Sequence, residues 1–102
     1  MKVSIITSCY NRVKTIRGAI ESVLSQDYKD IEYIIVDGVS EDGTMDIVNE
    51  YRNQITRIIS EPDRGMYEAI NKGIRMAQGD VIGLMHSDDF FYDNHVVSRI
   101  VE

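Results

Sequence analysis

Two consecutive carboxylates, Asp88 and Asp89, follow the apolar run Val81 to Met85 and the short step His86-Ser87. Carboxylates at the exit of a buried strand stand on a rigid platform, where they can meet a ligand or a hard cation such as Mg²⁺ or Mn²⁺. Serine and aspartate also end strands and cap helices routinely. The motif alone therefore supports a metal-assisted site and simple strand termination about equally.

The spacing of the pair restricts its chemistry. Consecutive residues of an extended segment point in opposite directions, so we expect Asp88 and Asp89 to have separate roles. One carboxylate binds Mg²⁺ or Mn²⁺ weakly until substrate phosphates and water complete the shell. A diphosphate approaching Asp37, Asp63 and this pair would meet like charge without a cation between them. Metal and phosphate ligand should therefore bind interdependently.

Length and charge bound the class of protein. The 102 residues are 43% hydrophobic, which predicts one domain, residues 1–102. The net charge of -6 argues against a nucleic-acid partner, which needs clustered Lys and Arg. The single cysteine, Cys9, excludes an intrachain disulfide and fits a reducing compartment, with cytoplasm as the expected location. An amphipathic pattern starts at Asn94 and stops at Glu102, so we expect a fragment truncated within a helix starting near residue 94.

Alternating apolar patterns predict the architecture. Runs rich in Ile and Val predict buried strands at Val3 to Thr7, Ile31 to Val36, Thr56 to Ile59 and Val81 to Met85. Helical periodicity predicts helices at Val13 to Gln26, Thr44 to Tyr51 and Met66 to Gln78, the last with Tyr67, Ile70, Ile74 and Ala77 on its apolar face and Gly79 as a left-handed cap. The order βαβαβαβα predicts an α/β, Rossmann-like parallel sheet with helices on both faces.

In such a sheet, ligands bind outside the carboxyl ends of the strands. Polar clusters follow all four predicted strands: Ser8 to Arg12, Asp37 to Ser40, Glu61 to Gly65, and Ser87 to Asp89. Their convergence on one edge favours a functional role for Asp88 and Asp89 over simple strand termination. Asp37 could accept a hydrogen bond from a nucleobase or merely cap a turn, whereas Asp42-Gly43-Thr44 favours turn and cap chemistry. Arg64 could neutralise phosphate or stay solvated.

Several ordered blocks resemble the start of family 2 glycosyltransferases. The early blocks are Ser4 to Arg12, Ser22 to Tyr28 and Val36 to Thr44, and the later ones are Glu61 to Tyr67, Asn71 to Gly73, Ala77 to Asp80 and Ser87 to Asp89. The resemblance implies the N-terminal, nucleotide-sugar-binding half of a GT-A fold. It implies a Mg²⁺- or Mn²⁺-dependent, inverting transfer of a sugar from a nucleoside diphosphate donor, UDP-sugar being favoured, to an acceptor hydroxyl in cell-surface polysaccharide or glycan synthesis.

The resemblance also carries residue roles. The position of Asp37 contacts the nucleobase in that family, and the acidic motif serves ribose and metal, which assigns the metal to Asp89 and the donor to Asp88, beside Ser87. It places the first loop near the nucleotide, here Thr7, Cys9, Tyr10 and Arg12, and Asp63 and Arg64 beside the base or diphosphate. His86, Arg64 and Cys9 depart from the usual pattern, which leaves base and sugar selectivity open.

Part of the reaction is expected elsewhere. In the family, the general base and the acceptor site lie well beyond the acidic motif, so we expect the base beyond Glu102, no catalytic residue within this chain, and no transfer by the chain alone. The acceptor would be a glycan or a lipid-linked glycan, and the missing part could bring the protein to the inner face of a membrane.

Other classes compete with this interpretation. A nucleotidyltransferase-type nucleotide-binding domain would need a glycine-rich loop after the first strand, and Ser8 to Arg12 contains no glycine. A response-regulator receiver would need an acidic pair directly after the first strand. A non-catalytic nucleotide-binding module remains open, and turnover by a longer chain would separate it from the enzyme.

Overall fold

The computed structural model describes residues 1–62, 65–85 and 96–101. Its strands are β1 (Val3–Cys9), β2 (Ile31–Asp37), β3 (Arg57–Ser60) and β4 (Val81–Leu84). Its helices are α1 (Ile16–Leu24), α2 (Thr44–Glu50), α3 (Met66–Met76) and α4 (Val96–Val101), with a 3₁₀ turn at Arg52–Gln54. The predicted order βαβαβαβα is confirmed, although several boundaries shift and the 3₁₀ turn was not predicted.

The four strands form one parallel sheet in the order β3-β2-β1-β4. β1 and β2 pair along their whole length, from Val3 opposite Ile31 to Cys9 opposite Asp37. Both strands are almost entirely buried, which explains why they read as near-continuous apolar runs. The carboxyl edge of the sheet, where the strands end, is therefore built mainly by these two central strands.

Helices cover both faces of the sheet, as the α/β pattern predicts. On one face, odd-numbered residues of β1 and β2, such as Ile5 and Tyr33, pack in a core with residues of α1, α2 and α4. On the other face, Ile6 and Ile34 pack with Ala69 of α3. The alternation follows from the two-residue period of a strand.

The helix α1 begins later than its apolar pattern predicts, at Ile16 instead of Val13. The backbone N–H groups of Arg12 and Val13 donate to the side chains of Thr44 and Asp42, at 2.8 and 3.1 Å. These contacts hold Arg12 and Val13 in a loop against the start of α2, so that α1 begins only after them.

The predicted apolar face of α3 is wrong in part. Tyr67 and Ile74 are exposed, whereas Ala69 and Gly73 face the sheet. A Cβ atom on Gly73 would lie only 2.6 Å from Cγ2 of Ile6. The helix approaches β1 closely at Gly73, where a larger side chain would not fit, while Ala69 and the partly buried Met76 pack on the same face of the sheet.

Gly79 is also explained differently from the prediction of a left-handed helix cap. Its φ is not positive, and α3 ends at Met76 with Ala77 extended. A Cβ atom on Gly79 would lie 2.5 Å from Oγ and 2.7 Å from N of Ser4. Glycine is needed here because the backbone passes directly against the start of β1.

Candidate functional site

The strand order creates a switch point beside β1. From β1 the chain adds β2 and β3 on one side and β4 on the other. Ligands of doubly wound sheets bind at the carboxyl ends of the strands where this reversal occurs. The N–H of Met85 donates to the carbonyl of Ile6 at 2.9 Å, so the chain leaves β4 alongside β1. In the sequence, Asp88 and Asp89 follow this exit by three and four residues.

Asp37 ends β2 with a carboxylate that is fully buried. One oxygen accepts from the hydroxyl of Ser40 at 2.5 Å and from the thiol of Cys9 at 3.5 Å. The other accepts from the backbone N–H of Ser40 at 3.0 Å and from the hydroxyl of Ser60 at 2.8 Å. This carboxylate therefore ties the ends of β1, β2 and β3 together.

The loops that follow β1 and β2 are locked to one another. The N–H of Asn11 donates to Oγ of Ser40 at 2.8 Å, and the N–H of Glu41 donates to Oδ1 of Asn11 at 2.8 Å. Because Ser40 also bonds to Asp37, the network runs from the buried strand end to the surface loop. The backbone of this edge is held in place by hydrogen bonds within the protein.

Asp42 performs the turn and cap chemistry that its sequence context predicts. Its carboxylate accepts from the N–H and the hydroxyl of Thr44, at 3.1 and 2.5 Å, and from the N–H of Val13 at 3.1 Å. The hydroxyl of Thr44 is the main cause that lowers the pKa of Asp42 below its ordinary value. Gly43 has a φ of 97° at the start of α2.

Two non-glycine residues of this edge have a positive φ. Asn11 has a φ of 54°, which asparagine tolerates well. Val39 has a φ of 66°, although a β-branched residue in this region is an outlier. Holding a residue other than glycine there costs roughly 1–2 kcal/mol.

The predicted contacts of the first strand differ in accessibility. Thr7 is fully buried, and its hydroxyl is 2.9 Å from the hydroxyl of Tyr33. Burial is the main cause that raises the pKa of that tyrosine. Cys9 is buried beside Asp37, whereas Tyr10 and Arg12 are exposed at the loop. Direct contact of Thr7 or Cys9 with a nucleotide stays a prediction.

A surface cleft of about 410 Å³ lies along the first loop. It is lined by Asn11, Arg12, Val13, Lys14, Thr15 and Asp42. Among the described residues that the sequence assigns to the nucleotide, Arg12 alone lines this cleft. The described part of the predicted set is therefore not gathered in it.

Five predicted site residues, Asp63, Arg64, Ser87, Asp88 and Asp89, lie outside the described residues, as does His86. The described positions around the later segment are well anchored. Gln26 is buried, and its Oε1 accepts from the N–H of Val97 at 3.0 Å, at the start of α4. Gln26 thus fixes the point where the described chain resumes after the acidic pair.

Residues 1–62, 65–85 and 96–101 contain neither a metal-binding cluster nor a membrane-spanning helix. Within them, no group of three or more His, Cys, Asp or Glu side chains could hold a metal ion. None of their helices has the length and apolar character that crossing a bilayer requires.

Sequence reasoning missed the serines that bind Asp37 and the cap formed by Gln26. A usable signal existed for Ser40, since an aspartate commonly accepts from backbone and hydroxyl groups a few residues later. Ser60 and Gln26 meet their partners only through the tertiary fold. Val39 carried no local signal, because its type gives no hint of a positive φ.

The strand order and the helices on both faces define a Rossmann-like α/β domain. Residues 4–102 match the family description "Glycosyl transferase family 2". The chain belongs to this family.

Three known proteins illustrate the similarity of this chain in sequence and in fold. The Escherichia coli UDP-Glc:alpha-D-GlcNAc-diphosphoundecaprenol beta-1,3-glucosyltransferase WfaP is 38% identical over 96% of this chain and 39% of its own length. S. aureus TarS, solved with UDP-GlcNAc, has a TM-score of 0.90 at 27% identity, over 99% of this chain and 30% of that one. The mannosyltransferase PcManGT from Pyrobaculum calidifontis, solved with GDP-Man and Mn²⁺, has a TM-score of 0.89 at 24% identity, over 98% and 31%.

These matches confirm the GT-A expectation for the fold. This chain spans 32% of the length of a Nostoc relative and 39% of that of WfaP.

Proposed function

We propose that this single domain is the donor-binding part of a nucleotide-sugar glycosyltransferase and holds a nucleoside diphosphate sugar at the carboxyl edge between β1 and β4. The observation that carries the proposal is the switch point, because β4 leads directly toward Asp88 and Asp89 in the sequence. The relative WfaP is named for UDP-Glc, and TarS was solved with UDP-GlcNAc, which favours a UDP-sugar.

The proposed roles follow the position of each side chain. Asp89 is the single metal ligand, and Asp88, with Ser87, faces the donor. Asp63 and Arg64 follow β3 in the sequence and serve the base or the diphosphate. Tyr10 and Arg12 are exposed after β1 and can reach a nucleotide without displacing any described contact.

Three buried residues at the ends of β1 and β2 support the proposed donor site without lying at its surface: Thr7, Cys9 and Asp37. Direct contact of Asp37 with a base would require one of its present donors, Ser40, Ser60 or Cys9, to yield. We therefore expect Asp37 to act at the base end of the site chiefly through the loop it holds.

A divalent cation fits the proposed donor set. Carboxylate oxygens are ligands that Mg²⁺ and Mn²⁺ prefer, and one or two of them suffice when phosphates and water supply the rest. When bound, such a cation would supply positive charge to the departing diphosphate as a Lewis acid.

The proposal also concerns the acceptor half of the reaction. We propose an inverting hexosyl transfer whose general base and acceptor site lie outside this chain, which would by itself be inactive in transfer. The lipid-linked acceptor in the name of WfaP favours an acceptor of that kind, used in surface polysaccharide synthesis. Such work would take place in the cytoplasm, at the inner face of the membrane.

Titration of this chain with UDP, with and without Mn²⁺, tests the proposal. We expect UDP to bind at least tenfold more tightly with Mn²⁺, since the cation screens the diphosphate from the carboxylates. Isothermal titration calorimetry measures both affinities. The change Asp89→Ala should abolish the effect of Mn²⁺ on the affinity for UDP.

The matched control is Asp30→Ala. It removes the same charge from an exposed residue at the amino end of β2, opposite the proposed site. Asp30→Ala should keep the full effect of Mn²⁺. Equal affinity for UDP with and without Mn²⁺ in the unaltered chain would contradict the metal assignment.

A further inference from the structure

Val39 is held in a conformation that its side chain disfavours. Its φ of 66° lies in the left-handed region, where β-branched residues are outliers. The backbone on both sides is fixed, because the N–H of Gly38 donates to the carbonyl of Cys9 and the N–H of Ser40 donates to Asp37, each at 3.0 Å. Val39 therefore cannot relax without breaking the network of the edge.

Burial does not compensate for this strain in the free protein. The side chain of Val39 is 42% exposed, so much of its apolar surface stays in contact with water. Asn11, the other non-glycine residue with a positive φ, is a type that tolerates the region and uses its side chain to bind Glu41. Strained residues that persist in over-determined loops concentrate at ligand sites.

The position of Val39 relates this strain to the donor edge. Val39 comes two residues after the end of β2, and Tyr10, which is 56% exposed, comes one residue after the end of β1. The two strands are paired up to Cys9 and Asp37. Two exposed, largely apolar side chains thus lie at the exits of β1 and β2, next to Asp37, where the base end of the proposed donor site lies.

We propose that Val39 is a specificity-determining residue that packs against the base of the nucleoside diphosphate donor. The inference rests on the proposed function and extends it to a residue that the sequence did not single out. A valine side chain has nothing to offer a phosphate or a cation, but its methyl groups match the apolar face of a base. Contact with the base would bury the surface that the free protein leaves in water.

Three variants test this role, measured by calorimetry with UDP and with inorganic pyrophosphate, both in Mn²⁺. Val39→Asn and Val39→Gly accept a positive φ and remove the methyl groups, so each should weaken UDP binding by roughly tenfold. Val39→Ile keeps both the strain and the apolar surface and should bind UDP within about twofold of the unaltered chain. Pyrophosphate, which lacks a base, should bind all four proteins equally.

Thermal unfolding provides a second readout. Val39→Asn should raise Tm by about 4 °C while it weakens UDP binding, a combination that a purely structural role does not produce. If the unaltered chain binds UDP and the Asn and Gly variants bind it equally well, the role of Val39 is overturned and the proposed function stands. If the unaltered chain binds no nucleoside diphosphate, both are overturned.

Discussion

The carboxylate of Asp37 shows how one side chain can organise an edge. It is fully buried and accepts hydrogen bonds from Ser40, Ser60 and Cys9. A buried carboxyl group is tolerated only when its oxygens have hydrogen-bond partners of this kind. The ends of three strands consequently depend on a single residue.

Replacing Asp37 with Asn should destabilise the fold. The new amide would point hydrogen atoms at one or more of the serine donors, leaving polar groups unpaired in the interior. We expect a loss of about 3 kcal/mol in the free energy of unfolding. Urea denaturation followed by circular dichroism measures it.

Ser60→Ala is the control for this change. It removes one donor and leaves the carboxylate with its other partners, so the loss should be about 1 kcal/mol. If the Asp37→Asn and Ser60→Ala proteins had the same free energy of unfolding, the hydrogen-bond network around Asp37 would contribute little to stability.

At this scale the sequence predicted the position of Asp37 but not its partners. A carboxylate that ends an apolar strand next to Gly38 marks the edge of a parallel sheet. Ser60 lies in a different strand, so no local spacing connects it to Asp37. Residue types identify which groups require partners, whereas the fold decides which groups meet.

The packing of α3 on the sheet depends on small residues. Ala69 and Gly73 face Ile6, while Tyr67 and Ile74 remain exposed on the same helix. Apolar periodicity weights large side chains, and this is why it placed the exposed Tyr67 and Ile74 on the buried face and overlooked Gly73. Close contact between a helix and a sheet instead requires that there be little side chain between the two backbones.

A pair of glycine substitutions separates close packing from helix propensity. Gly73→Ala places a Cβ atom 2.6 Å from the buried Ile6 and should lower the free energy of unfolding by about 1–2 kcal/mol. Gly18→Ala adds its Cβ atom to α1 with nothing within 4 Å and should raise it by about 0.5–1 kcal/mol. Chemical denaturation of both proteins measures the two signs. Stabilisation by both changes would rule out a close contact at Gly73.

A second polar network fastens the opposite end of the sheet. Oε1 of the buried Glu32 accepts from the hydroxyl of Ser4 at 2.7 Å and from the N–H of Gln78 at 2.8 Å. Burial alone would raise the pKa of Glu32, but these hydrogen bonds and the charges of Lys2 and Arg57 bring it below its ordinary value. Glu32 thereby joins β1, β2 and the segment that leads into β4.

The stability of the whole molecule should depend on Glu32 in acid. Because its pKa is lowered in the folded state, Glu32 contributes stability above the ordinary value of 4.5, and this contribution is lost as the pH falls through the folded pKa. The difference in Tm between the unaltered chain and Glu32→Gln should therefore be largest near pH 7 and shrink below pH 4.5. Calorimetric melts across this range measure it.

Glu41→Gln provides the comparison for the acid melts. Its side chain is exposed, and only its backbone N–H takes part in the loop network. Its melting curve should follow that of the unaltered chain at every pH. A Glu32→Gln difference that stays constant down to pH 3 would contradict the stabilising role of the charged form.

For the molecule as a whole, the alternation of apolar patterns was enough to predict the element order and the parallel sheet. It did not predict the strand order. Right-handed crossovers fix the hand of each connection but leave open on which side of β1 the chain adds β4. That choice rests on contacts such as Gly79 against Ser4, which are 75 residues apart and have no local signature.

The central place of β1 has a consequence for how the molecule is made. During synthesis β1 and β2 can pair early, but the other side of β1 has no strand partner until β4 emerges about 75 residues later. Until then one side of the buried strand β1 is an open edge, which is a template for aggregation. Completion of the carboxyl edge of the sheet and protection of the nascent chain therefore coincide in one event, the docking of β4.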